Sequence, residues 1–305
     1  MITDASALGS VHLASIGIEI APDVITSDAL EDQLAPAWSA MGIEPGQLEQ
    51  LTGVRERRWW PAGTSISRMA ALACQKALDS ANMPASKIGQ LAYTGVCRES
   101  FEPATACAVA SHLELSRETA LHDISNACLG AVDGIVMASD AILLGRIDAA
   151  LVVCCESARG IVDIACQRLL SDPRMDRFIP TLATLTGGSG AAAMLLVSSR
   201  VSTEGPLLLG SSLGTDARWH KLCRWGIHTD EESSDPAARI EYMETDSIGV
   251  LRHGVEVGVE TWKRFLRELE WSASDIDRTI CHQVGSAHRD EILAALGLSA
   301  ENDFI

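Results

Sequence analysis

A cysteine acts as a nucleophile only where its thiolate is reachable and favoured, and Cys128 has such a setting among the nine cysteines of this chain. It lies in DISNACLG, where an apolar stretch around 121–125 gives way to helical spacing from about 129. Strand, sharp turn and helix would put the thiol at a helix N-terminus, whose unsatisfied N–H groups and positive dipole end favour an anion. The same spacing fits a buried cysteine at a strand end. His282 closes the apolar run RTICHQV, 278–284, and small and polar residues follow it. Functional groups of α/β proteins gather at the carboxyl ends of strands, so such a His and such a Cys can meet. A hydrogen-bonded core histidine is the alternative.

Two further stretches could hold a substrate. Arg55, Arg57, Arg58, Trp59 and Trp60 form the one compact basic, aromatic cluster in a chain of net charge −17. Arg suits phosphate geometry and Trp can stack on a base, so Arg55, Arg58 and Trp59 are candidate contacts for an anionic, adenine-bearing ligand. A loop whose arginines pair with nearby acids is the alternative. GGSGA, 187–191, lacks the Lys and Ser/Thr of a P-loop and the GxGxxG spacing. Its glycines suit a tight turn or a close backbone approach, with Gly188 and Ser189 as candidate substrate contacts.

The elements around these residues alternate. Strands are expected at 11–20, 91–96, 121–125, 147–157, 187–199, 206–215 and 278–284. Helices are expected at about 27–41 (with Ser27 and Asp28 as caps), 64–82, 102–115 after a loop, from 129, at 254–271, and at 288–298 with Gly297 as its stop. The acidic, Pro-containing segment 229–246 reads as a surface excursion. This order predicts an α/β fold with buried, largely parallel sheets. It divides into an N-terminal half, 1–200, carrying Cys128, and a C-terminal half, 201–305, carrying His282.

Composition narrows the partners. With 47% hydrophobic and 21% charged residues the chain reads as globular, and its acidity argues against nucleic acid and anionic membrane. No CxxC pair and no Cys/His cluster has zinc spacing, so no metal is expected. The apolar run around 127–145 is interrupted by Asp133 and Asp140, so no membrane span is expected. The N-terminus lacks a basic signal region, and the cytoplasm is the expected location.

Taken together, TGVRERRWW, EPATAC, NACLG, ALVVCCES, GGSGAAAMLL, SLGTD, METDS with VLRHGVEVG, and CHQV resemble the ketoacyl synthase III branch of the thiolase superfamily. The likeness runs over nearly the whole chain. It is strongest to the enzymes of lipid metabolism that join two long acyl-CoA molecules head to head in olefin biosynthesis. The resemblance implies a thiolase fold, five-layered αβαβα from two similar halves, in a homodimer. It implies that Cys128 takes an acyl group from coenzyme A, and that His282 polarises the carbonyl of a second thioester in a Claisen condensation. It also implies that Glu102, in EPATAC, reaches the partner subunit's site and removes the α-proton. A cap on the following helix is the other reading of Glu102.

The chain departs from fatty-acid-initiating members of that branch. Gln47 and Leu51 stand where those often carry a Trp and an Arg, and Gln283-Val284-Gly285-Ser286-Ala287 replaces their carrier-protein docking run. Acyl-CoA is therefore favoured over acyl carrier protein as donor, and no cofactor is expected. Later enzymes of the same lipid pathway are candidate partners. The family's glycine-flanked Asn would fall beyond Ile305, which implies a chain truncated in its C-terminal half. A malonyl-using ketoacyl synthase III of fatty-acid biosynthesis, a silent thiolase-fold subunit and a simple acyltransferase remain alternatives. The tunnel for the acyl chain would draw on 102–115 and 160–186.

Overall fold

A computed structural model describes residues 9–229 and 238–304. In chain order the elements are β1 (Val11–Ile20), β2 (Asp23–Thr26), α1 (Ser27–Met41), α2 (Gln47–Thr52), β3 (Glu56–Trp59), α3 (Ile66–Ser80), β4 (Gln90–Tyr93), α4 (Thr105–His112), β5 (Ala120–Asp123), α5 (Gly130–Leu143), β6 (Ala149–Glu156), α6 (Arg159–Ser171), α7 (Met175–Leu185), β7 (Gly190–Ser198), β8 (Cys223–Thr229), β9 (Arg239–Thr245), α8 (Ser247–Leu269) and α9 (Ser286–Leu296). They fall into two compact units. One comprises 1–24, 58–157 and 188–209; the other comprises 25–57, 158–187 and 210–305.

The first unit is built on a five-stranded sheet in the order β1-β7-β6-β4-β5. Its centre reads as a strand covered on both faces should: β6, AALVVCCE, is apolar almost throughout and mostly buried. β4 pairs in parallel with both β6 and β5, whereas β7 runs antiparallel to β6 and to β1. The sheet is therefore mixed rather than largely parallel. The long connection from β6 through α6 and α7 leads into β7, which runs back against β6.

One face of this sheet carries α3. Ser65 caps it, accepting a hydrogen bond from the Arg68 N–H at 3.2 Å. Its Ala70, Ala73, Cys74 and Ala77 side chains are fully buried with Leu91, Leu151 and Leu195. Small residues on that stripe let the helix approach closely: a Cβ at Gly17 of β1 would lie 2.0 Å from the Ala73 carbonyl oxygen. The other face carries α5, whose Ala138 and Ile142 cluster with Val11, Ala150, Val152 and Leu196.

In the second unit, α6 packs on α1, α7 and β9, and α8 on α9. Thr26, not Ser27 or Asp28, caps α1, accepting from the Ala29 N–H at 3.1 Å. Ser27 is instead the first helical residue and is buried. Gly297 ends α9 in the left-handed conformation, as expected. Three expectations change. The run 206–215 is not a strand, since only Leu207 finds a bridge, to His12. The run 278–284 is extended but has one bridge, Thr279 to Asp303. Of the acidic segment, 230–237 lies outside the described residues, while its remainder forms β9, paired antiparallel with β8. The first two changes share one cause: apolar patterning proposes a strand, but a ladder partner makes one.

Gly17→Ala should cost about 3 kcal/mol or more, because helix backbone rather than a movable side chain meets the new methyl group. Urea unfolding of the variant against the parent protein measures this.

Candidate active site

Cys128 stands where strand, turn and helix were expected to put it. β5 ends at Asp123, Ala127–Leu129 form a single 3-10 turn, and α5 begins at Gly130. The turn is tight: Ala127 adopts a positive φ of 43°, unusual for a residue with a side chain. Asn126 Nδ2 donates to Asp133 Oδ2 at 2.6 Å, tying the turn to the first turn of α5. A Cβ at Gly130 would sit 2.6 Å from the Thr94 carbonyl oxygen, so the helix starts directly against the end of β4. The Cys128 side chain is left exposed. Most other cysteines contrast with it. Burial pushes the thiols of Cys155 and Cys166 up to about 12 and raises those of Cys74, Cys97 and Cys154 further.

Glu102 lies in the loop between β4 and α4, at an exposed tip with Phe101 and Pro103. It is not the cap of α4. Ala104 occupies the cap position and offers no side-chain acceptor. The acceptor comes from Asp123, whose carboxylate takes the Thr105 N–H at 2.8 Å and the Ala106 N–H at 2.9 Å. The start of the loop is held by Glu156, which accepts from the N–H groups of Val96 and Cys97 at 2.7 and 3.0 Å.

His282 belongs to the second unit and keeps an exposed edge. Burial of part of the ring, and His288 packed edge-on with centroids 6.1 Å apart, push its pKa below the ordinary imidazole value. Its segment is ordered by Asp303. That carboxylate accepts the Cys281 N–H at 3.0 Å and pairs with Arg289 Nε at 2.6 Å. The Arg289 guanidinium holds Asp303 below the usual carboxylate range. Sequence reasoning passed over both Asp123 and Asp303, because an aspartate at an element's end reads as a solvated residue.

The basic cluster divides by the period-two alternation of β3. Arg55 and Arg58 are exposed, whereas Arg57, Trp59 and Trp60 are buried. Arg57 donates to Ser27 Oγ at 2.9 Å, and Trp60 Nε1 to the Glu156 carbonyl at 3.0 Å. Trp59 is 5% exposed, so it has no open ring face on which an adenine could stack, contrary to expectation. Arg58 and Ser189 do come together: the Ser189 N–H donates to the Arg58 carbonyl at 2.8 Å, beside exposed Gly188. Among the described residues no group of three or more His, Cys, Asp or Glu could hold a metal. Nor is any helix among them long and apolar enough to cross a membrane.

Comparison with known proteins converges on one family. Residues 58–161 match the thiolase N-terminal domain, and residues 122–217 match 3-oxoacyl-[acyl-carrier-protein] synthase III. An acyl-CoA:acyl-CoA alkyltransferase of Shewanella oneidensis is 43% identical over 297 residues, covering 96% of this chain and 84% of its own. One from Xanthomonas campestris is 31% identical over 290 residues, covering 95% and 82%. This chain belongs to the acyl-CoA:acyl-CoA alkyltransferase family. The Xanthomonas campestris protein OleA has been solved as a cysteine-to-serine variant with bound lauric acid and lauroyl-CoA. It matches with a TM-score of 0.87 at 30% identity, over 97% of this chain and 85% of that one. The chain has the thiolase fold, as expected.

Burial orders the thiols of this chain by reactivity. Brief iodoacetamide treatment of the native protein near neutral pH should label Cys128 and the exposed Cys223. It should leave Cys74, Cys97, Cys154, Cys155 and Cys166 unmodified, as read by peptide mass spectrometry.

Proposed function

We propose that this chain joins two acyl-CoA molecules head to head through a thioester on Cys128. The Cys128 thiolate adds to the carbonyl of the first acyl-CoA, and coenzyme A leaves as its thiol. The second acyl-CoA gives up an α-proton to Glu102. Its α-carbon attacks the Cys128 thioester, a carbon–carbon bond forms, and the cysteine sulfur leaves. The product is a β-ketoacyl thioester, which hydrolysis converts to a β-keto acid. Such an α-proton is weakly acidic, so the step needs both a placed base and a polarised carbonyl. His282, favoured in its neutral form, is suited to hold that carbonyl oxygen. Arg55, Arg58, Gly188 and Ser189 would meet the coenzyme A portion, and the reaction calls for no cofactor beyond the two thioesters.

The observation that carries this reading is the placement of Glu102. Its carboxylate stands exposed at the tip of an anchored loop while Asp123 does the capping. A condensation that releases CO₂ from a malonyl thioester creates its carbanion without a base and has no use for such a residue. In a homodimer the exposed tip would project into the partner's site, and the cytoplasm is where acyl-CoA substrates are met.

Incubation with lauroyl-CoA should add one dodecanoyl group to the intact protein, and Cys128→Ala should abolish the adduct. Glu102→Gln should keep the adduct and lose β-keto product by about a hundredfold or more. Full product formation by Glu102→Gln, or product from malonyl-CoA and not from lauroyl-CoA alone, would reject head-to-head condensation in favour of the decarboxylating route.

A further inference from the structure

Glu102 can act on a substrate only if the loop that carries it keeps one shape. That loop leaves β4, and β4 lies between β6 and β5. The last residue of each flanking strand is a carboxylate, Glu156 of β6 and Asp123 of β5. Glu156 takes the beginning of the loop, at Val96 and Cys97. Asp123 takes its end: Oδ2 accepts from the Thr105 N–H and Oδ1 from the Ala106 N–H. Asp123 Oδ2 also pairs at 3.0 Å with Nη1 of Arg98, inside the loop. The Asp123 side chain is only 6% exposed, so water does little to replace these contacts. Charge-assisted bonds of this kind are short, directional and costly to lose.

We propose that Asp123 is a positioning residue for proton abstraction. By capping α4 and holding Arg98 it sets where the loop presents Glu102, without touching substrate itself. The inference rests on the reading of Glu102 as the base. The Asp123 carboxylate bonds to Arg98, Thr105 and Ala106, all in that loop and its helix, although the residue sits on the strand that leads to Cys128. The Cys128 turn has separate supports. They are the Ile124 N–H to the Tyr93 carbonyl at 2.8 Å, the Leu129 N–H to the Asn126 carbonyl at 2.9 Å, and the Asn126–Asp133 bond. Loss of the Asp123 charge should therefore fall on the second half of the reaction and spare the first.

Asp123→Asn keeps the side chain's size and replaces one acceptor oxygen by a donor. With lauroyl-CoA, Cys128 should still be acylated within about twofold of the parent rate. Condensation, followed in a single turnover of pre-acylated enzyme and normalised to acyl-Cys128, should slow about tenfold or more. Arg98→Gln, which leaves Asp123 and the cap intact, should show the same split at smaller amplitude and serves if Asp123→Asn folds poorly. Combined with Glu102→Gln, Asp123→Asn should cost nothing further. Equal loss of acylation and condensation in both variants would overturn the inference, as would a double variant slower than Glu102→Gln by the full Asp123→Asn factor. Undiminished condensation by Glu102→Gln alone would instead remove the base reading, and the inference with it.

Discussion

The backbone at the end of β4 presents the central constraint on the first unit. Three mutually parallel strands, β4, β5 and β6, stop at one edge, and the chain beyond β4 has N–H groups with no ladder to join. The ends of the two neighbouring strands supply the acceptors. Glu156 and Asp123 take four of these N–H groups between them. Each bond to a charged acceptor contributes about 1.5–3 kcal/mol. The set is enough to hold a loop whose tip, residues 99–103, is exposed. An exposed carboxylate at the tip then has a defined position without being packed, which is what a base must have if it is to reach substrate.

Cys128 is placed by a different means. α5 lies on the sheet with almost nothing between the backbones. A Cβ at Gly134 would come within 2.8 Å of both Thr94 Cγ2 and Val152 Cγ1, and Gly130 is as close to the Thr94 carbonyl. Close approach through glycine leaves the helix no room to slide, so the turn before it inherits a fixed position. Ala127 accepts a left-handed conformation as the consequence. Backbone contact thus sets Cys128, and carboxylate–amide bonding sets the Glu102 loop. Both act at the same edge of one sheet.

These two devices were unequally legible in the sequence. The glycine and small-residue pattern around Cys128 reads directly as strand, turn and helix, and the structure has that order within a residue or two. The helices at 27–41 and 64–82 were equally plain, because caps and periodicity are local signals. Asp123 was not legible, since its hydrogen-bond partners Thr105 and Ala106 lie in another element and only the parallel pairing of β4 with β5 brings them near. The strands expected at 206–215 and 278–284 failed for the same reason in reverse: their composition was right and their ladder was missing. The hairpin of β8 and β9 was overlooked because β9 lies in an acidic, Pro-containing segment, a composition that also suits solvent. Trp59 was misjudged because composition marks a cluster as basic and aromatic, whereas strand alternation decides which members face outward.

The charge of −17 has a second meaning beside its bearing on partners. Several of the carboxylates accept backbone N–H groups at places where the chain has no regular partner. Glu31 holds the N–H groups of Gly46 and Leu48 ahead of and within α2, Glu156 and Asp123 hold the Glu102 loop, and Asp303 holds the residue before His282. An acidic residue in such a position carries its charge for the fold, and its effect on an approaching ligand is reduced by the N–H dipoles and arginines it binds. Arg98 and Arg289 are both committed in this way, to Asp123 and Asp303. Arg55 and Arg58, by contrast, keep exposed side chains, so the charge that reaches solvent there differs from what the composition of the whole chain would suggest.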